Sequence, residues 1–203
     1  MELTTAKEVR TFMGKMIDPF NPDPDQITLV DIAHSLSNLC RWNGHTMKYY
    51  SVAEHSIFVQ NMVQSREDKL AAMLHDAREA YISDVTRPVK HRLKNYFDVE
   101  FELMVVISRK FGFQFPLSTA VKEADEYALR WEWVNIVTAE RVSTMTPREA
   151  KHAFLGIMDI LTSNNAPENG NHCFVCKKLV PENEITPDKR HDEDQGGCGC
   201  FIR

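Results

Sequence analysis

The sequence predicts an all-α protein, and three observations carry the prediction. Apolar residues recur at helical spacing along most of the chain, capping residues stand where those stretches begin, and no strand-like alternation persists beyond a few residues. The composition supports a folded body: of 203 residues, 43% are hydrophobic and 26% charged, which provides material for a core and excludes global disorder. A net charge of -5 argues against duplex nucleic acid or an anionic membrane as the main partner. No apolar run approaches the ~20 residues of a membrane span. The start, Met1 to Glu8, has neither the basic nor the apolar region of a secretion signal, so a cytoplasmic protein is expected.

The helices are justified in chain order. From Thr28 to Arg41, Leu29, Ile32, Ala33, Leu36, Leu39 and Cys40 share one helical face. Ser51 and Glu54 form a capping box that opens a helix carrying Phe58, Met62 and Val63. Ser65 can cap the next helix, which holds Leu70, Ala71, Leu74, Ala77, Ala80 and Tyr81, and Pro88 ends or interrupts the stretch after it. A further helix spans Tyr96 to Phe111, with Gly112 in the C-terminal cap position. Ser118 or Thr119 starts a long helix through Val121, Ala124, Ala128 and Ile136. Thr146 and Glu149 form a second capping box around Pro147, opening a helix through Phe154, Ile157 and Leu161.

Turn formers from Ser163 to Asn171 then divide the chain into a body (1–163), a linker (164–171) and a tail (172–203). Of the five cysteines, Cys40 stands alone in the body, whereas Cys173, Cys176, Cys198 and Cys200 crowd the tail. Paired, clustered cysteines suggest a structural zinc with tetrahedral thiolate ligation, and a short segment with almost no core would need the metal to fold. Cys198-Gly-Cys200 departs from the usual C-x-x-C spacing, and the alternative is a tail without metal that carries reactive thiols.

Four polar residues lie where the helical pattern calls for apolar or partly buried ones: His55, the adjacent His75 and Asp76, and Asp125. A carboxylate on a buried face is costly unless paired or bound to a cation. Two imidazoles and two carboxylates suit Zn, Co, Mn, Fe or Ni better than Ca or Mg. They leave open positions for water and substrate on an ion that acidifies the one and polarises the other. Glu79, on the same predicted helical face as His75 and Asp76, is a candidate proton-transfer group, and Asp84 stands at the end of that helix. Taken singly, each histidine could equally be a satisfied core residue and each aspartate a cap.

Four blocks in order, Ser51-Val-Ala-Glu-His55, Ala72-Met-Leu-His-Asp-Ala-Arg-Glu79, Ser83-Asp-Val-Thr-Arg-Pro-Val-Lys90 and Val121-Lys-Glu-Ala-Asp125, resemble the H…HD…D signature of the HD-domain phosphohydrolases. The likeness covers roughly residues 28–140 and is greatest to the branch of bacterial 5'-deoxynucleotidases and phage deoxyadenosine-triphosphate triphosphohydrolases. It implies an all-helical HD fold in a bacterial or phage-infected cytoplasm, metal ligands at His55, His75, Asp76 and Asp125, an acid/base at Glu79, and Asp84 near the sugar and the attacked water. Upstream, Arg41-Trp42 resembles the pair in which Arg holds phosphate and Trp borders the deoxyribose. Without the resemblance, that pair also fits a helix-terminal cation followed by a packing aromatic. Lys90 and Lys122 are further phosphate candidates, though each alone also fits an exposed lysine.

The extra histidines of dinuclear HD enzymes are missing at their usual spacings, so one transition metal is expected, with Mg arriving on nucleotide phosphates. The expected reaction is cleavage of the 5'-phosphoester of dNMP or dNTP, with dATP giving deoxyadenosine and triphosphate. The alternatives are an HD hydrolase of cyclic nucleotides or guanosine tetraphosphate, and a non-catalytic nucleotide-sensing module. The small-molecule nucleotide is the expected partner, with no duplex nucleic acid and no membrane. Oligomeric state stays open, a homo-oligomer being compatible with this reading.

Overall fold

The structure, a computed structural model, describes residues 7–139 and 142–163. The chain divides into two compact units, Met1–Leu155 and Gly156–Arg203. The described part of the second unit is the C-terminal portion of the last helix and Ser163. The linker and the tail cysteines Cys173, Cys176, Cys198 and Cys200 lie outside the described residues.

The first unit is built from helices, as the periodicity predicts. Helix α1 (Leu29–Asn38) starts at Thr28, whose hydroxyl accepts the Asp31 N–H at 3.1 Å, and it buries Ile32, Ala33 and Leu36 completely. It ends three residues before the expected Arg41. Leu39 and Cys40 continue the apolar pattern, but their stretch of backbone pairs elsewhere: Leu39 C=O accepts from Val52 N and Arg41 N donates to Tyr50 C=O, at 3.0 and 2.8 Å. Helix α2 (Val52–Asn61) is capped by Ser51, which accepts the Glu54 N–H at 3.1 Å. Only this half of the expected capping box forms. The Glu54 carboxylate turns away and accepts the Met145 N–H at 3.0 Å, whereas Thr146 and Glu149 complete the reciprocal box.

Helix α3 (Arg66–Leu74), capped by Ser65, does not run on to Tyr81. Four residues of tight turn, 75–78, separate it from the short α4 (Glu79–Ile82), with Ala77 N bonded to Leu74 C=O and Glu79 N to Asp76 C=O. The break is stabilised by Arg78, whose guanidinium donates to His75 C=O and to Glu100. Helix α5 (Arg87–Lys90) carries Pro88 in its first turn, and α6 (Tyr96–Phe111) closes on Gly112 at φ 74, a left-handed conformation that suits glycine. Helix α7 (Thr119–Glu132) is capped by Ser118 and continues through a π turn, Trp133–Val137. Helix α8 spans Pro147–Thr162.

A two-stranded antiparallel ribbon, β1 (Val9–Arg10) with β2 (Met16–Ile17), precedes the helices and is too short to leave an alternating signal. The core lies where α2 packs against α1, α3 and α7. Fully buried small residues, Ala33, Ala53, Ala72 and Ala128, let these helix backbones approach one another, and Ile32, Leu36, Val52, Val59, Met73, Leu74 and Val121 fill the space between. Burying each such large side chain contributes about 1.5–3 kcal/mol. The buried polar residues of that packing include His55, His75, Asp76 and Glu132. Among the described residues, no helix is long and apolar enough to cross a membrane.

Candidate metal centre

His55 sits in the middle of α2, His75 just past the end of α3, Asp76 in the turn that breaks the chain before α4, and Asp125 on α7. The packing of these helices brings their donor atoms together. His55 Nε2 lies 3.2 Å from His75 Nε2, 3.1 Å from Asp125 Oδ1 and 3.7 Å from Asp76 Oδ2. His75 Nε2 lies 3.2 Å from Asp76 Oδ2 and 3.8 Å from Asp125 Oδ1. Donors each ~2.0–2.2 Å from one ion stand ~3–4 Å from one another; His55, His75 and Asp76 match that spacing mutually, and Asp125 Oδ1 keeps it to both histidines.

The remaining ring nitrogens fix which atoms face inward. His75 Nδ1 is 2.6 Å from the Ala72 carbonyl, which can only accept, so Nδ1 carries the hydrogen. His55 Nδ1 meets Glu132 Oε1 at 2.5 Å. Both Nε2 atoms therefore face the centre, the arrangement that orients histidine ligands. Asp76 is divided similarly: Oδ1 faces Arg78 at 3.3 Å while Oδ2 faces the histidines.

The ionisation of the group favours positive charge among these carboxylates. Burial and the Arg41 charge push His55 down, but Glu132 and Asp125 outweigh them and raise it to about 9. Burial pushes Asp76 up, and His75, Arg78 and His55 more than reverse it, holding the carboxyl well below its usual range. Asp125 is lowered against burial by the same two histidines. A divalent cation between the carboxylates would meet the same electrostatic demand.

Sequence reasoning missed Glu132. Its side chain is fully buried and meets His55 Nδ1, Arg41 at 3.1 Å, the Tyr50 hydroxyl at 3.1 Å and the Trp42 indole N–H at 3.2 Å. Burial alone would raise its pKa, but His55 and Arg41 lower it to about 2. A signal was available. Val121, Ala124, Ala128 and Glu132 form one buried stripe of α7, and a glutamate in such a stripe calls for partners.

Arg41 and Trp42 are placed by the same anchor. Arg41 is 9% exposed and its second amino group lies 3.7 Å from Asp76 Oδ2, so it is no helix-terminal cation in solvent. Trp42 and Asn43 adopt φ 58 and φ 51, a left-handed backbone that costs a non-glycine residue roughly 1–2 kcal/mol. That cost is met where Trp42 reaches Glu132.

Glu79 begins α4 with 3% exposure; among the described residues its Oε2 has no hydrogen-bond partner, and Oε1 lies 3.9 Å from Arg78. Burial, then the charges of Asp76 and Asp84, push its carboxyl well above the usual range. It does not share a continuous helical face with His75, since the turn intervenes. Asp84, half-buried, comes directly after the strained Ser83 (φ 68) and is raised by burial against the pull of Arg41 and Lys90. Lys90 is held by Glu100 at 2.6 Å, which Arg78 also contacts at 2.9 Å. Lys122 is exposed, one turn before Asp125.

No protein-family model matches the chain. It is 40% identical over 124 residues to the uncharacterized protein YfdR of Escherichia coli (strain K12), covering 61% of this chain and 69% of that one. It is 34% identical over 158 residues to the uncharacterized protein RCAP_rcc00048 of Rhodobacter capsulatus, covering 71% of this chain and 78% of that one.

Proposed function

The chain belongs to the family of the uncharacterized proteins YfdR and RCAP_rcc00048, and we propose that it is a metal-dependent phosphohydrolase of the HD type. In this reading it hydrolyses the 5'-phosphoester of deoxynucleotides, whether dNMP or dNTP; dATP would give deoxyadenosine and triphosphate. One observation carries the proposal. Two histidines and two carboxylates from α2, the turn after α3 and α7 converge near a buried glutamate, Glu79, one of whose oxygens has no hydrogen-bond partner among the described residues. A structural ion has no use for such a carboxyl, whereas hydrolysis does.

His55, His75, Asp76 and Asp125 would hold one divalent transition ion, Zn, Co, Mn, Fe or Ni. When bound, such an ion polarises a phosphoryl oxygen and makes water more acidic. The protein's own groups supply the rest. Glu79, whose carboxyl is held above its usual range by burial and the neighbouring Asp76 and Asp84 charges, is placed to pass a proton to the 5'-oxygen as the P–O bond breaks, or to take one from the attacking water as the new bond to phosphorus forms. Arg41, fixed by Glu132 and facing Asp76, offers positive charge to the phosphate. Trp42 would stand against C2' and exclude a ribose hydroxyl, with Asp84 on the sugar side. Mg would arrive with the phosphates of a dNTP, and a tail zinc would be a separate structural matter.

The test is phosphate or triphosphate release from a panel of dNMPs, dNTPs and matching ribonucleotides with Mn, Co, Zn and Mg. Deoxynucleotides should be favoured at least about tenfold, the scale for one small group. Release from no nucleotide under any metal would end the reading.

A further inference from the structure

We propose that Trp133 is the residue against which the nucleobase stacks, and hence the determinant of binding for the base. This rests on the deoxynucleotide reading of the site above. Trp133 is 52% exposed and so presents part of a large aromatic ring to solvent. Its neighbour two residues back, Trp131, packs against Phe58 with ring centroids 4.7 Å apart. Trp133 instead faces Trp42, with centroids 5.5 Å apart and planes tilted by 50°.

Two irregular pieces of backbone create this pair. Trp42 stands in a left-handed conformation at φ 58, and Trp133 opens a π turn in which Thr138 N donates to its carbonyl at 3.0 Å. Residues held in sparsely populated conformations and single π turns both concentrate at functional sites. Both pieces also meet at Glu132, which precedes Trp133 in sequence and accepts the Trp42 indole N–H. Glu132 in turn holds Arg41 and His55.

The pair continues a graded series. Arg41 is 9% exposed and faces Asp76, Trp42 is half-buried, and Trp133 is half-exposed. A 5'-nucleotide runs in the same order, from an anionic phosphate that needs a buried cation, through a sugar, to a flat base that needs only an aromatic face. Stacking is tolerant of base identity because every base has such a face.

The full-length chain loaded with Mn should be assayed for phosphate release from dAMP and from 2-deoxyribose 5-phosphate, which lacks the base. W133A should raise KM for dAMP at least about tenfold with little change in kcat, leave 2-deoxyribose 5-phosphate unaffected, and be rescued by W133F. If W133A does not fold, W133L makes the same comparison. Equal losses on both substrates would mean that Trp133 supports the site's architecture, and no loss on either that it is a bystander; both overturn the proposal. If the wild-type protein does not cleave dAMP, the same comparison is made with dATP and triphosphate release; wild-type protein that cleaves no deoxynucleotide with any of the metals overturns the enzymatic reading itself, and this inference with it.

Discussion

Two buried glutamates flank the candidate metal centre, and their surroundings give them opposite character. Behind His55, Glu132 is met by Arg41, Trp42, Tyr50 and His55 and held at about 2. At the break after His75, Glu79 is nearly as buried, but one oxygen has no partner among the described residues, and the nearby Asp76 and Asp84 charges push its pKa up. Burial is the same penalty in both places, so the donors decide the outcome. A saturated carboxylate is rigid and permanently charged, which suits holding a histidine and an arginine in place. An undersupplied one exchanges its proton easily, which suits acid–base chemistry.

The largest expected effect tests the undersupplied side. Glu79→Gln should lower turnover by about 10²–10⁴-fold while keeping the bound metal and a wild-type melting temperature, because the amide replaces a carboxyl that was costly to bury. A Gln variant with wild-type turnover would move proton transfer elsewhere. A clearly destabilised one would erase the distinction between the two glutamates.

Glu132→Ala should do the reverse and act first on folding. Removing one partner of a buried ion network costs about 3–5 kcal/mol, to be read from chemical denaturation. Metal affinity should also fall by roughly 10–100-fold as His55 loses its orienting partner. Unchanged stability would mean that Arg41 and His55 find other acceptors.

Much of this was legible in the chain, and the exceptions share a cause. His55, His75, Asp76 and Asp125 stand out because charged groups interrupt apolar periodicity, and α6 and α7 announce their ends through Ser118 and Gly112. Glu132 interrupts a buried stripe as well, but what it meets is hidden, because its partners Arg41, Trp42, Tyr50 and His55 lie 77–91 residues away in sequence. The break at residues 75–78 is hidden for a related reason. Ala77 and Tyr81 stay in phase with the buried face, while the interruption is stabilised by Arg78 donating to the His75 carbonyl and to Glu100. Periodicity records burial; it does not record which distant donor a buried group will meet.

Metal removal should have an intermediate effect. Metal at about 100–1,000 times its dissociation constant would stabilise the folded chain by about 2.7–4.1 kcal/mol. Chelation should lower the melting temperature accordingly, and re-addition should restore it. His75→Ala should show no metal-dependent shift. An identical melting temperature with and without Mn, Co or Zn in the wild-type chain would mean that the four donors are held together by protons and hydrogen bonds alone.

The smallest expected effect belongs to a third glutamate, intermediate between the other two. The Glu54 carboxylate accepts the Met145 N–H, but burial, helped by the charges of Glu132 and Glu149, outweighs that bond and raises its pKa to about 8. The folded state therefore favours the protonated carboxyl. Its contribution to stability is complete below the ordinary glutamate value and is lost as pH rises through about 8. Because the residue is only partly buried, solvent screening reduces the change to about 1–2 kcal/mol over that window. Glu54→Gln keeps an acceptor for Met145 and removes the titration, so it should flatten the stability profile between about pH 5 and 8 and leave the variant more stable than wild type at the upper end. The readout is the free energy of unfolding against pH for both proteins without added metal. Parallel profiles would mean that a single backbone donor is enough to keep a buried glutamate charged, and the ordering of the three by their donors would no longer hold.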